Sequence, residues 1–176
     1  MKRRTGLVLL AVIVTGIALA WWNGRLLPRW VDWNEKETDL SPYRTEGVLI
    51  LKDRRLKLVN GNDLLFVTPV GWYVSDYKLS DFDLDGKQEV LFLLWRHGEY
   101  GASHPFWEIP DRLKLCQHLY IFKLEKGELN RQWMSSELNP KICEWDIDEE
   151  QNLSIISDQG ESSVWRWYGY SVRRVD

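Results

Sequence analysis

A chain of 176 residues holds one domain and an appendage, and its 44% apolar and 28% charged residues fit a globular body rather than a disordered one. Two cysteines exclude a disulfide-rich scaffold and a four-cysteine zinc site, and a formal net charge of −3 carries no nucleic-acid signature.

The amino end is basic at Met1-Lys2-Arg3-Arg4-Thr5, and Gly6 to Trp22 then runs 17 residues without a charge. As a helix that run is roughly 26 Å long, against a hydrocarbon core of about 30 Å. The expectation is a cytoplasmic tail at 1–5 and a transmembrane anchor at 6–22, with Trp21 and Trp22 at the outer interface. Ala18-Leu19-Ala20 also has the small-x-small form of a cleavage site, which makes a cleaved leader and a secreted protein the rival reading. The bulk of Trp21 and Trp22 directly after it favours the anchor. Lys2, Arg3 and Arg4 against Arg25 and Arg29 set the orientation: a single pass in the cell membrane, N-terminus inside and domain outside. That topology leaves 20 basic residues facing 26 acidic ones outside, a balance suited to a calcium-containing medium and not to anionic lipid. Residues 23–44 read as a juxtamembrane linker. Arg25 to Trp33 either lies on the membrane surface or is an ordinary linker, and Glu35 to Asp39 is a polar tether.

From 45 to 176 the chain falls into short apolar runs separated by turn residues, which predicts an all-β domain. Gly47 to Leu51 ends at Lys52-Asp53-Arg54-Arg55. Leu56 to Val59 stops at Asn60-Gly61-Asn62-Asp63, a strong turn signal, and Leu64 to Val67 follows. Val90 to Trp95 is an uninterrupted apolar run with the character of a buried strand. Leu119 to Phe122 leads into a hairpin at Glu125-Lys126-Gly127-Glu128, and then Leu129 to Met134. Only Glu108 to Leu115 is allowed a helical turn.

Asp81-Phe82-Asp83-Leu84-Asp85-Gly86-Lys87-Gln88-Glu89 carries acids at loop positions 1, 3, 5 and 9 and a glycine at 6. Odd spacing over a tight turn brings alternate side chains to one point, and Gly86 permits the sharp bend. Four like charges in nine residues repel unless a cation lies between them, and a hard ion that takes six to eight oxygens fits, calcium being the usual one. Asp81, Asp83, Asp85 and Glu89 are the candidate carboxylate ligands, with Lys87 contributing its backbone carbonyl. An EF-hand is excluded, because Phe92 stands where that loop needs a bidentate glutamate.

A DxDxDG turn closed by an acid and leading into a strand resembles the FG-GAP/VCBS repeat, the blade unit of integrin-type β-propellers. The resemblance implies a loop between the first two strands of a blade, holding one calcium ion. A second, degraded copy lies 63 residues on, at Glu144-Trp145-Asp146-Ile147-Asp148-Glu149-Glu150-Gln151-Asn152-Leu153. Glu149 replaces the glycine and Asn152 the closing acid, so this copy keeps the turn and loses the metal. About two and a half four-stranded, blade-like antiparallel units result, the first lacking its leading pair of strands. Closed propellers have four to eight blades, which makes the chain an open fragment, a small two-sheet body, or a subunit completed by association.

Among the remaining candidates, His97, His104 and His118 match no zinc spacing, and Ser103-His104 lacks a nucleophile elbow. The loop at 96–110 is long, polar and aromatic, and suits a protein or glycan ligand. Trp165 and Trp167 share a strand face and either stack on carbohydrate or pack between sheets. Cys116 and Cys143 would share an oxidising compartment, and a bond between them would stabilise by roughly 3 kcal/mol on the chain-entropy model; both states remain open. The expected function is a membrane-tethered extracytoplasmic binding or scaffolding module, not an enzyme, with one structural calcium loop. The alternatives are a cell-envelope enzyme or carbohydrate-binding accessory using Glu99, Glu108 or Asp111, and a propeller-completing subunit.

Overall fold

The structure, a computed structural model, describes residues 2–22, 27–101 and 114–175. They divide into two units, 1–31 and 32–176.

The first unit is a helix, α1 (Lys2–Trp22), rich in leucine, valine, isoleucine and alanine. No helix among the described residues is long and apolar enough to cross a membrane. The uncharged stretch of α1, 6–22, spans roughly 26 Å against a bilayer core of about 30 Å, and Thr15 and Gly16 dilute its apolar character. The single-pass anchor expected above, with its N-terminus inside and its domain outside, is therefore wrong.

The second unit is mostly β: three four-stranded antiparallel sheets, each a simple meander of consecutive strands. Sheet 1 is β1 (Lys36–Asp39), β2 (Val48–Lys52), β3 (Arg55–Asn60) and β4 (Asp63–Val67). Sheet 2 is β5 (Tyr73–Ser80), β6 (Gln88–His97), β7 (Leu115–Glu125) and β8 (Glu128–Met134). Sheet 3 is β9 (Ile142–Ile147), β10 (Leu153–Ser157), β11 (Ser162–Trp167) and β12 (Val172–Arg174). The first sheet is complete, because its leading strand comes from the segment that reads as a tether. Polar β1 is held there by its side chains: Lys36 pairs with Asp76 at 2.6 Å and Thr38 Oγ1 lies 2.7 Å from the Tyr77 hydroxyl. Leu40, just beyond it, is fully buried.

Sheet 2 is the middle layer. On one side Val90, Phe92, Leu94, Tyr120 and Phe122 pack with Leu49, Leu51, Leu56 and Leu58 of sheet 1. On the other, Leu91, Leu93, Leu119 and Ile121 pack with Ile142 and Leu153 of sheet 3. This explains the unbroken apolar run of β6: alternate side chains enter two different cores, so neither face has a reason to be polar.

Turn chemistry fixes the registers. At Lys126-Gly127 both residues have positive φ, 54° and 79°, and Glu125 pairs with Glu128, the geometry of a two-residue I′ hairpin. The turn expected at Asn60–Asp63 is likewise present, with Asn60 opposite Asp63.

Candidate metal site

The Asp81–Lys87 segment joins β5 to β6, the first two strands of sheet 2. Its shape follows from its own carboxylates. The Leu84 amide donates to the Asp81 carbonyl at 3.2 Å, and the Gly86 amide to Asp81 Oδ2 at 3.0 Å. The amides of Asp85 and Lys87 donate to Asp83 Oδ1 at 3.1 Å and Asp85 Oδ1 at 3.0 Å. Leu84 and Gly86 sit at φ 60° and 86°; no atom lies within 4 Å of a Cβ added at Gly86, so the glycine serves backbone conformation alone. Phe82 points the opposite way and is buried in the second core, 6.5 Å from the ring of Trp167, which pins the loop to sheet 3.

Glu89, the second residue of β6, is the floor. It is fully buried, and its Oε2 accepts from the amides of Phe82 at 2.8 Å and Asp83 at 3.3 Å. Its Oε1 has no hydrogen-bond partner, and neither does buried Asp81 Oδ1. One carboxylate oxygen from each of Asp81, Asp83 and Glu89 lies within 4.8 Å of the others. Burial, reinforced by the Asp83 charge, raises the Glu89 carboxyl to about 7 against the pull of the Asp83 and Phe82 amides and Lys123. Two buried carboxylate oxygens without donors beside a third carboxylate are what an oxygen-seeking cation satisfies, so the residues fit a metal ion.

The structure thus brings together Asp81, Asp83 and Glu89 of the five candidates. Asp85 stands at the rim, 40% exposed, with its carboxyl held low first by its hydrogen bond from Lys123. The Lys87 side chain turns away to Glu125, at 2.7 Å.

Two residues at the site were missed by sequence reasoning. Lys123 on β7 stands directly opposite Glu89 in register. Its ammonium lies 2.8 Å from Asp83 Oδ2 and 3.5 Å from Glu89 Oε1, and also bonds Asp85 Oδ2. Burial opposes that charge, but the Asp83 and Asp85 hydrogen bonds and the Asp83 and Glu89 charges hold it above the ordinary lysine value. Gln132 on β8 donates through Nε2 to Asp83 Oδ2 at 2.6 Å. The one available signal was a lone lysine within the apolar run Leu119 to Leu124; Gln132 gave none.

The copied loop differs. Glu144, Trp145 and Asp146 lie on strand β9, not in a turn, and Asp146 pairs with Lys78 at 2.8 Å. The connection is shorter: Asp148 accepts from the Asn152 amide at 2.8 Å and side chain at 2.9 Å, and Arg166 donates to Asn152 Oδ1 at 2.7 Å. It does join the first two strands of sheet 3, the place that the acidic loop occupies in sheet 2.

His118 is fully buried, its Nδ1 and Nε2 placed 3.0 Å and 2.9 Å from the carbonyls of Ser135 and Gly98, a structural post rather than a ligand. Cys116 is buried and Cys143 exposed, and both are free thiols. Trp165 and Trp167 pack against the second core. Trp165 also lines a cleft of about 320 Å³ with Trp133, Leu138, Ile155, Glu161 and Ser163. Of the 96–110 ligand loop, residues 102–110 lie outside the described residues, among them Ser103, His104, Trp107 and Glu108; so do Asp111 and most of the 108–115 helical turn.

Comparison of the chain with family models, curated proteins and solved structures gave no match. Antiparallel sheets by themselves do not identify an FG-GAP/VCBS repeat.

Proposed function

We propose that this protein is a blade-like β-sheet binding or scaffolding module of FG-GAP/VCBS type, whose β5–β6 loop is locked by one structural calcium ion. The observation that carries the reading is the convergence of Asp81, Asp83 and Glu89 with two buried oxygens lacking donors. Asp81, Asp83, Glu89 and, at the rim, Asp85 would hold the ion, with the Lys87 carbonyl completing the set. An all-oxygen, carboxylate-rich donor group on a loop selects a hard cation, and calcium tolerates irregular geometry better than magnesium. The ion supplies charge neutralisation. Residues of this chain do the rest: Glu89 ties the loop to the central sheet, Phe82 ties it to sheet 3, and Gly86 permits the bend. The equivalent positions of this loop and the Asp148–Asn152 turn support the repeat.

The test is thermal unfolding in calcium and in EDTA. An ion at about a hundred times its Kd adds about 2.7 kcal/mol, a rise of several degrees in Tm. Asp83→Ala is expected to abolish the difference. Superimposable wild-type curves with and without calcium remove the proposal.

The cleft lined by Trp133 and Trp165 favours a second reading, a carbohydrate-binding accessory, since two indoles beside Glu161 and Ser163 suit a sugar ring. Unchanged tryptophan fluorescence across a panel of oligosaccharides would dismiss it.

A further inference from the structure

We propose that Lys123 is the resident counter-cation of the acidic loop, and that a metal ion enters by displacing its ammonium while the Gln132 side-chain carbonyl joins the coordination. This rests on the metal reading above and adds two strands to it.

Three observations carry it. The Lys123 ammonium touches Asp83, Asp85 and Glu89, so it lies among the carboxylates that a cation would use. An ammonium and a divalent ion cannot share that space: at contact distance in a partly buried site their repulsion is of the same order as the attraction that either feels for one carboxylate. The lysine is 18% exposed and its partner Asp85 40% exposed, so the ammonium sits at the open side of the cluster, with solvent as its exit, while Glu89 at the floor is fully enclosed. A lysine stem has four rotatable carbons and can swing out without moving β7.

Gln132 is the second half. Tyr120 to Leu124 pair in order with Met134 to Leu129, except that Ile121 faces Trp133 and Phe122 faces Arg131. Gln132 is thus the extra residue of a β-bulge, and a bulge re-aims a side chain that regular pleating would send elsewhere. Its amide nitrogen bonds Asp83 while its buried oxygen, Oε1, has no donor. With an ammonium in the cluster, that amide offers its N–H to Asp83. With a metal ion there, rotation of the amide by half a turn offers the neutral oxygen instead, a common calcium ligand. Glu89 Oε1, fully buried and without a hydrogen-bond donor, is the fixed point that both cations approach.

The experiment is calorimetric titration of calcium chloride into the full chain and its variants, each checked by far-UV circular dichroism. Lys123→Met is expected to bind calcium at least tenfold more tightly than wild type. Lys123→Arg, which keeps the charge, is expected to bind no more tightly than wild type, and Gln132→Leu several-fold more weakly. A second measurement needs no variant: on calcium saturation of wild type, the Lys123 side-chain nitrogen resonance shifts while those of Lys36 and Lys78 stay. Wild-type binding with equal affinity in Lys123→Met, or a static Lys123 resonance at saturation, overturns this inference and leaves the metal site standing. No binding by any of the four proteins overturns the metal reading, and this inference with it.

Discussion

Glu137 lies beyond β8 between two lysines, Lys114 at 2.6 Å and Lys141 at 2.5 Å, and is only 15% exposed. Burial alone would raise its carboxyl, but the hydrogen bonds and charges of both lysines outweigh that and hold it at about 2, below the ordinary 4.5. A carboxyl depressed on folding contributes stability that is present above its unfolded value and lost as pH falls from 4.5 towards 2. Glu137→Gln is therefore expected to cost up to about 3 kcal/mol at pH 7 and almost nothing at pH 2. Denaturant unfolding at the two pH values checks this, and an equal loss at both would assign the effect to packing. At this scale the sequence shows residues whose partners are near in the chain. Asp81, Asp83 and Glu89 are legible because their spacing brings them together within one turn. Lys123 and Gln132 are not, because their approach depends on the β6–β7 register and on a bulge that no local pattern announces.

Strands β6 and β7 were the most legible elements, since their apolar runs need two covered faces and have them. Phe92 stands at the centre of the first core, with its ring 5.1 Å from Phe122, 6.0 Å from Tyr120 and 6.5 Å from Trp72. Phe92→Ala is expected to cost about 3–5 kcal/mol. Leu64→Ala on edge strand β4, where the side chain is 56% exposed, should stay below about 1 kcal/mol. Chemical denaturation of the two variants checks the contrast; similar losses would mean that sheet 1 does not cover sheet 2 as described. Strand β1 was illegible because Lys-Glu-Thr-Asp has no apolar alternation. It is a strand through hydrogen bonding to β2 and ties to Asp76 and Tyr77, which are tertiary facts. The apolar helix misled in the other direction: absence of charge over 17 residues is necessary for a span, but length and mean apolarity also decide.

In the unit from residue 32 onward, both cores share one sheet, and this governs how it comes apart. Sheets 1 and 3 each bury one face against sheet 2, and sheet 2 buries both of its own. Exposing β6 or β7 to solvent therefore means dismantling both cores, whereas outer strands can open alone. Amides of Leu91–Leu94 and Leu119–Phe122 should exchange only through global unfolding, with the slowest rates in the molecule. Those of β1, β4 and β12, at sheet edges, should exchange orders of magnitude faster. Calcium should slow the Asp81–Lys87 amides more than those of β12, because the loop is fastened to the central sheet by Glu89 and to the second core by Phe82. Native-state hydrogen exchange read residue by residue tests all three. If β6 and β9 exchange with the same free energy while β2 opens earlier, sheet 1 is an independent layer, and sheet 2 is not the keystone that its two buried faces imply.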